Sequence, residues 1–270
     1  MVEIMAHRGA RSLAPENTLA AAEIGYRVGA RGWETDVSLT RDRRLVLFHD
    51  RDLLRCTDAR ERFGPENAGP SGKYFLEEYP LDQVLELDAG SFFPDRDPFS
   101  TIRDGKMGTI DPERFRGEKI PTLDQGLALT KKLGWKINLE LKDHGTEPEP
   151  FYTARHTLAA IEKIGMPRGS VVISSFTLDW LQWIQTQTQE IELQALVGYS
   201  DDEELDFKDF SFSVYNVNAS LINEEIIGLL KEKGKRINLW TVNDMDQARR
   251  FIKAGVDGII TDFPQNFQSQ

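Results

Sequence analysis

His7 and His49 each close a short apolar run, Ile4-Met5-Ala6-His7 and Leu45-Val46-Leu47-Phe48-His49. An imidazole that titrates near neutrality can take a proton from one oxygen and return one to another. Glu34 and Asp36 stand two apart in a third run, so on a strand both point to one face, and Glu140 with Lys142 repeats that spacing. Three converging carboxylates are costly to bury without a cation, and an all-oxygen set selects Mg²⁺, Ca²⁺ or Mn²⁺ over zinc. Arg8 and Lys142 add positive charge beside them. The set suits cleavage of a phosphodiester: one histidine deprotonates the nucleophile and the other protonates the leaving alkoxide. Arg8, Lys142 and the cation offset charge on the phosphoryl oxygens. Any single acidic residue is read as well as a solvated surface charge, but two i, i+2 pairs on successive strands are not.

These residues need a scaffold that brings strand ends together. Apolar or alternating runs recur at residues 2–7, 33–39, 45–48, 136–141, 171–176, 193–197, 213–217, 237–242 and 258–261. Segments with helical spacing separate most of them, among them 17–29, 122–133, 152–164, 223–233 and 245–254. This alternation predicts an α/β fold, a slightly irregular (β/α)8 TIM barrel, whose active site gathers at the C-terminal strand ends. Nine runs is one too many. The five residues Thr40-Arg41-Asp42-Arg43-Arg44 cannot hold a crossover helix, so Leu45–Phe48 is expected as the antiparallel arm of a hairpin outside the eight, with Asp36 across from His49.

Residues 1–270 are expected to form one domain, carrying a long insertion or lid at about 51–120, directly after the His49-Asp50 strand end. Its phenylalanines Phe92, Phe93 and Phe99 read as a small core of their own. Trp240, at the end of the penultimate run, is placed to pack against a substrate or the core, whereas Asp262 is expected to bond a neighbouring loop backbone. His144, His156 and the lone Cys56 take structural readings, and a single cysteine excludes an internal disulfide framework.

A formal charge of −11 and pI near 5.0 argue against a nucleic-acid surface. No stretch reaches the ~18 uninterrupted apolar residues of a membrane span, and residues 1–7 lack the basic and apolar regions of a secretory leader, so a cytoplasmic location is expected.

In order along the chain stand His7-Arg8-Gly9, Pro15-Glu16-Asn17-Thr18, Glu34-Thr35-Asp36-Val37, Phe48-His49-Asp50, Leu87-Asp88-Ala89-Gly90-Ser91, Ile120-Pro121-Thr122-Leu123, Glu140-Leu141-Lys142, Ser174-Ser175-Phe176, Trp240-Thr241-Val242-Asn243 and Thr261-Asp262-Phe263-Pro264. This ordered set resembles the glycerophosphodiester phosphodiesterase family, within the phospholipase-C-like barrel phosphodiesterases. The resemblance implies hydrolysis of a small-molecule glycerophosphodiester to glycerol 3-phosphate and an alcohol. It implies His7 and His49 as acid and base, Arg8 on the phosphate, Glu34, Asp36 and Glu140 on one divalent ion (Mg²⁺ or Ca²⁺, with Mn²⁺ also suited), and Lys142 and Trp240 lining the pocket. It further implies that the substrate's own glycerol hydroxyl attacks phosphorus, giving a cyclic phosphate that water opens. A lysophospholipase-D-like enzyme and an inactive barrel that binds phosphodiesters are the competing readings. The tract Pro94–Gly117 is longer and more charged than the family pattern, which leaves headgroup preference open, as is the oligomeric state.

Overall fold

The computed structural model describes residues 2–267; Met1 and residues 268–270, the two ends of the expected domain, lie outside the described residues. Nine strands form one sheet: β1 (Glu3–His7), β2 (Gly32–Leu39), β3 (Leu45–Leu47), β4 (Lys136–Leu141), β5 (Val171–Ser175), β6 (Glu192–Val197), β7 (Val214–Asn218), β8 (Arg236–Trp240) and β9 (Gly258–Thr261). Their order is β1-β9-β8-β7-β6-β5-β4-β2-β3, and parallel pairing of β1 with β2 closes eight of them into a barrel. Both faces of these strands are covered, which is why β5, β7 and β9 read as near-continuous buried runs.

Helices α1 (Leu19–Arg27), α2 (Ala59–Phe63), α3 (Leu81–Val84), α4 (Phe92–Arg96), α5 (Leu123–Lys132), α6 (Tyr152–Ile164), α7 (Leu178–Gln187), α8 (Glu224–Glu232) and α9 (Met245–Ala254) follow in chain order. Side chains cap several of these helices. Thr18 accepts from Ala21 N–H, Thr122 and Gln125 form a reciprocal capping box, and Asn223 and Asp244 cap α8 and α9. Among the described residues no helix separates β6 from β7, which is the irregularity of this barrel.

The hairpin expectation holds: β3 runs antiparallel to β2, outside the closed eight. Its register differs from the one expected. Leu39 pairs with Leu45 and Val37 with Leu47, and Phe48 N–H donates to the Asp36 carbonyl at 3.0 Å. The loop closes through Thr40, whose N–H reaches the Arg44 carbonyl at 3.0 Å, and this closure sets Phe48 opposite Asp36. His49 is two residues past the end of β3 and lies at the barrel mouth.

The barrel wall and its helices share one apolar core around Trp33, Ile137, Ile173, Tyr215 and Leu239. Residues 51–120 pack in two further cores, each shared with neighbouring segments of the barrel. Leu53, Leu76, Val84 and Leu87 pack with Val46 and Phe48, while Phe93, Met107 and Phe115 pack with Leu13, Ala21 and Ile24 of the first βα unit. Phe93 thus belongs to the small core expected for it, but Phe99 does not: its ring meets Phe263 edge-on at 5.5 Å, beside the mouth of the barrel.

Candidate active site

One cavity of about 430 Å³ opens at the C-terminal strand ends, and His7, Arg8, Glu34, His49, Glu140, Lys142 and Trp240 line it. Glu34 and Asp36 point inward from β2 as their spacing requires, and Glu140 faces them from β4, in register with Asp36. One carboxylate oxygen of each lies within 4.8 Å of the other two. Glu34 Oε1 and Asp36 Oδ1 are buried and have no hydrogen-bond partner among the described residues. Two buried, unpartnered carboxyl oxygens in a cluster this tight belong to a donor set that fits a hard divalent cation.

The electrostatics are those of a crowded anionic site. Burial, then Asp36 and Glu140, push the Glu34 carboxyl well above the usual range. Burial would raise Asp36 too, but His49, Arg8 and Lys142 outweigh it and hold that carboxyl far below its ordinary value. Lys142 Nζ lies 2.5 Å from Glu140 Oε1 and 3.6 Å from Asp36 Oδ1. The Lys142 ammonium is buried, yet these two carboxylates keep it charged.

Arg8 takes the left-handed conformation, with φ of 53°. That unusual backbone aims its N–H at Glu34 Oε2, 3.0 Å away. Two nitrogens of the side chain are held by carboxylates: Nη1 donates to Glu16 Oε1 at 2.8 Å and Nε lies 3.2 Å from Asp36 Oδ2.

His7 departs from the simplest expectation through its partner. Its Nδ1 is 2.7 Å from Asp262 Oδ1, and Nε2 is 3.9 Å from Glu34 Oε2. Asp262, expected to serve a loop backbone, instead orients this imidazole; β1 and β9 are neighbours only because the barrel closes, so nothing local announces the pair. His7, Arg11 and Asn243 keep Asp262 ionised against its burial. An ionised carboxylate can only accept, so Nδ1 carries the proton and Nε2 faces the cavity as an acceptor. Burial and Arg8 push the His7 imidazole down to about 4. His49 repeats the motif with Asp50, Nδ1 to Oδ1 at 2.6 Å.

Several site residues were not singled out by type and spacing. Asn17, at φ of 57°, donates to Asp36 Oδ2 at 2.8 Å and accepts from Thr35 Oγ1 at 2.7 Å and Asp36 N–H at 3.2 Å. The sequence marked it as a helix start, a job that Thr18 performs alone. Glu16 receives Arg8, Arg11 Nη2 at 2.9 Å and Arg55 Nη2 at 2.7 Å, and these cations hold its buried carboxyl far below the usual range. Arg55 also reaches Asp50, Nε to Oδ2 at 2.5 Å, so one guanidinium from the insertion joins the Glu16 and His49 sides of the mouth. For Glu16 and Asn17 the only sequence signal was the tetrad Pro15-Glu16-Asn17-Thr18, and for Arg55 there was none. Trp240 Nε1 donates to the Asn216 carbonyl at 3.1 Å, and Phe176 meets the Trp240 ring edge-on at 5.7 Å. His144 and His156 keep structural roles, beside Ser38 Oγ and on the Tyr152 carbonyl.

A closed barrel with acids, imidazoles and cations gathered at one mouth is the arrangement of a phosphoric diester hydrolase. The Glycerophosphoryl diester phosphodiesterase family model matches residues 7–266, and the chain belongs to that family. It is 30% identical to the glycerophosphodiester phosphodiesterase of Caldanaerobacter subterraneus subsp. tengcongensis over 97% of this chain and 94% of that one. It is 29% identical to that of Bacillus altitudinis, over 98% and 96%. Among solved structures, a phosphodiesterase from Oleispira antarctica, in complex with its product sn-glycerol-3-phosphate, superposes with a TM-score of 0.78 at 25% identity, over 99% of this chain and 95% of that one. Among the described residues no helix is long and apolar enough to cross a membrane.

Proposed function

We propose that this chain hydrolyses glycerophosphodiesters to glycerol 3-phosphate and an alcohol, with His7 and His49 as the proton carriers and Glu34, Asp36 and Glu140 as ligands to one divalent cation. The observation that carries the reading is the cluster of Glu34, Asp36 and Glu140 at a cavity that His7, His49, Arg8 and Lys142 also line. Family membership and the glycerol 3-phosphate complex of the Oleispira antarctica relative support the substrate class.

His7, neutral at pH 7 with Nε2 free, is the base that takes the proton of the attacking oxygen. His49, its Nδ1 on Asp50, gives its Nε2 proton to the departing alkoxide; His7 releases its proton to solvent and His49 takes one back, so both return to their starting states. Lys142 and the free edge of the Arg8 guanidinium meet the non-bridging phosphoryl oxygens. The cation, when bound, supplies Lewis-acid stabilisation of charge at those oxygens. Trp240 gives the substrate an apolar wall. Mg²⁺, Ca²⁺ and Mn²⁺ all suit oxygen ligands, and trials with each select among them.

The chain works as one domain, with the insertion at about 51–120 bordering the mouth through Arg55 and Phe99. Release of glycerol 3-phosphate from glycerophosphocholine and glycerophosphoethanolamine, followed with each ion and with EDTA, tests the whole reading. Turnover that persists in EDTA removes the cation role, and no release with any ion removes the function.

A further inference from the structure

Uncharged polar side chains also line the cavity, and the chemistry above leaves them without work. Asn138 on β4, Ser174 on β5 and Asn216 on β7 share it and are 2%, 1% and 0% exposed. Barrel interiors are ordinarily filled by branched apolar residues, so three polar ones together are a departure. Asn138 Oδ1, Ser174 Oγ and Asn216 Nδ2 are buried with no hydrogen-bond partner among the described residues. The Asn216 amide is nonetheless held in place: its Oδ1 accepts from Asn238 Nδ2 at 2.9 Å, and that nitrogen also reaches Gln194 Oε1 at 3.3 Å. Its Nδ2 is thereby turned away from the Asn238 and Gln194 pair.

An amide oxygen, a hydroxyl and an amide N–H together complement an alcohol, which donates one hydrogen bond and accepts two. Charge would be needed to meet a phosphate, and Arg8 and Lys142 carry it in the same cavity. Leu196, Ile260 and Trp240 line the same space and suit C–H faces. Asn138 stands two residues before Glu140, roughly 6.6 Å along the strand, a distance comparable to the reach from a phosphoryl group to the far hydroxyl of its glycerol.

We propose that Asn138, Ser174 and Asn216 form the subsite that reads the terminal hydroxyl of the substrate's glycerol moiety. This rests on the substrate class proposed above. A site built to hydrogen-bond a hydroxyl rejects the analogue that lacks it, because its own polar groups are then stranded.

The test compares glycerophosphocholine with the phosphocholine diester of 2-hydroxypropanol, which keeps the secondary hydroxyl and lacks the terminal one. The full-length protein is expected to favour the glycerol ester by on the order of 10²-fold or more in kcat/KM. Ser174→Ala and Asn216→Leu should each narrow that ratio by about 10-fold or more, with the loss falling mainly on the glycerol ester. Ser174→Ala removes one buried oxygen and keeps the volume, so it guards against an Asn216→Leu protein that fails to fold. Competition by glycerol 3-phosphate and by 2-hydroxypropyl phosphate should reproduce the ratio in the intact protein. Equal cleavage of the two esters, or a ratio that Ser174→Ala leaves unchanged, overturns the subsite, and these groups then serve ordinary buried water. Cleavage of neither ester with any divalent ion removes the proposed function and this inference together.

Discussion

Nδ1 of His7 lies 2.7 Å from Oδ1 of Asp262, across 255 positions of sequence. The contact decides which imidazole nitrogen faces the cavity, and therefore whether His7 can act as a base. Asp262→Asn can place an N–H against Nδ1 and favour the opposite tautomer. We expect kcat to fall by about 10² or more with the fold retained, as read by steady-state rates and circular dichroism. Near-normal turnover would show that the tautomer is set elsewhere.

Removing the insertion's guanidinium should loosen both sides of the mouth. Arg55→Ala leaves Glu16 without one of its three arginines and Asp50 with His49 alone, so kcat is expected to drop at least ~10-fold. Arg55→Lys, which cannot bridge both carboxylates bidentately, should recover only part of it.

Acid stability follows from the same group. Burial would raise the Asp50 carboxyl, but hydrogen bonds from His49 and Arg55 outweigh it and hold it at about 2, below its ordinary 3.8. A depressed carboxyl contributes stability that is complete above its unfolded value and lost as pH falls through the folded one. The contribution therefore disappears between about pH 4 and pH 2. Arg55→Ala should move the acid-unfolding midpoint to higher pH, and an unchanged midpoint in an acid titration followed by fluorescence would contradict this.

The carboxylate cluster predicts opposite effects of charge removal with and without the ion. Glu34→Gln relieves repulsion from Asp36 and Glu140, so the ion-free variant is expected to equal or exceed the parent in Tm. Saturating Mg²⁺ or Ca²⁺ should raise the parent's Tm, by about 2.7 kcal/mol of stability at a hundredfold excess over Kd, and do so far less in the variant. Identical shifts in both proteins would place the ion elsewhere.

Asn17 tests the support beneath Asp36. Asn17→Ala removes the side-chain groups bonded to Thr35 and Asp36 and puts a residue that tolerates it poorly at a positive φ. A loss of about 2–3 kcal/mol is expected in urea unfolding, with reduced ion affinity. Asn17→Gly relieves the backbone alone and should lose less.

What the chain determined by itself is local. Alternating runs set the strands, a period of two put Glu34 with Asp36 and Glu140 with Lys142 on shared faces, and helical spacing marked segments such as 122–133 and 223–233. Position at strand ends then nominated His7 and His49, because a barrel gathers such ends at one mouth. What only the tertiary structure decided depends on pairings across closure. Asp262 meets His7 because β9 lies beside β1, Arg55 joins Glu16 to Asp50 because the insertion folds back over the mouth, and loop closure at Thr40 sets Phe48 rather than His49 opposite Asp36. The polar face of Asn138, Ser174 and Asn216 emerged in the same way: each is an ordinary polar residue in its own strand, and only barrel curvature turns all three toward one cavity. Hydrogen bonds reach about 3 Å in space whatever their span in sequence, so partners of this kind carry no periodicity to read.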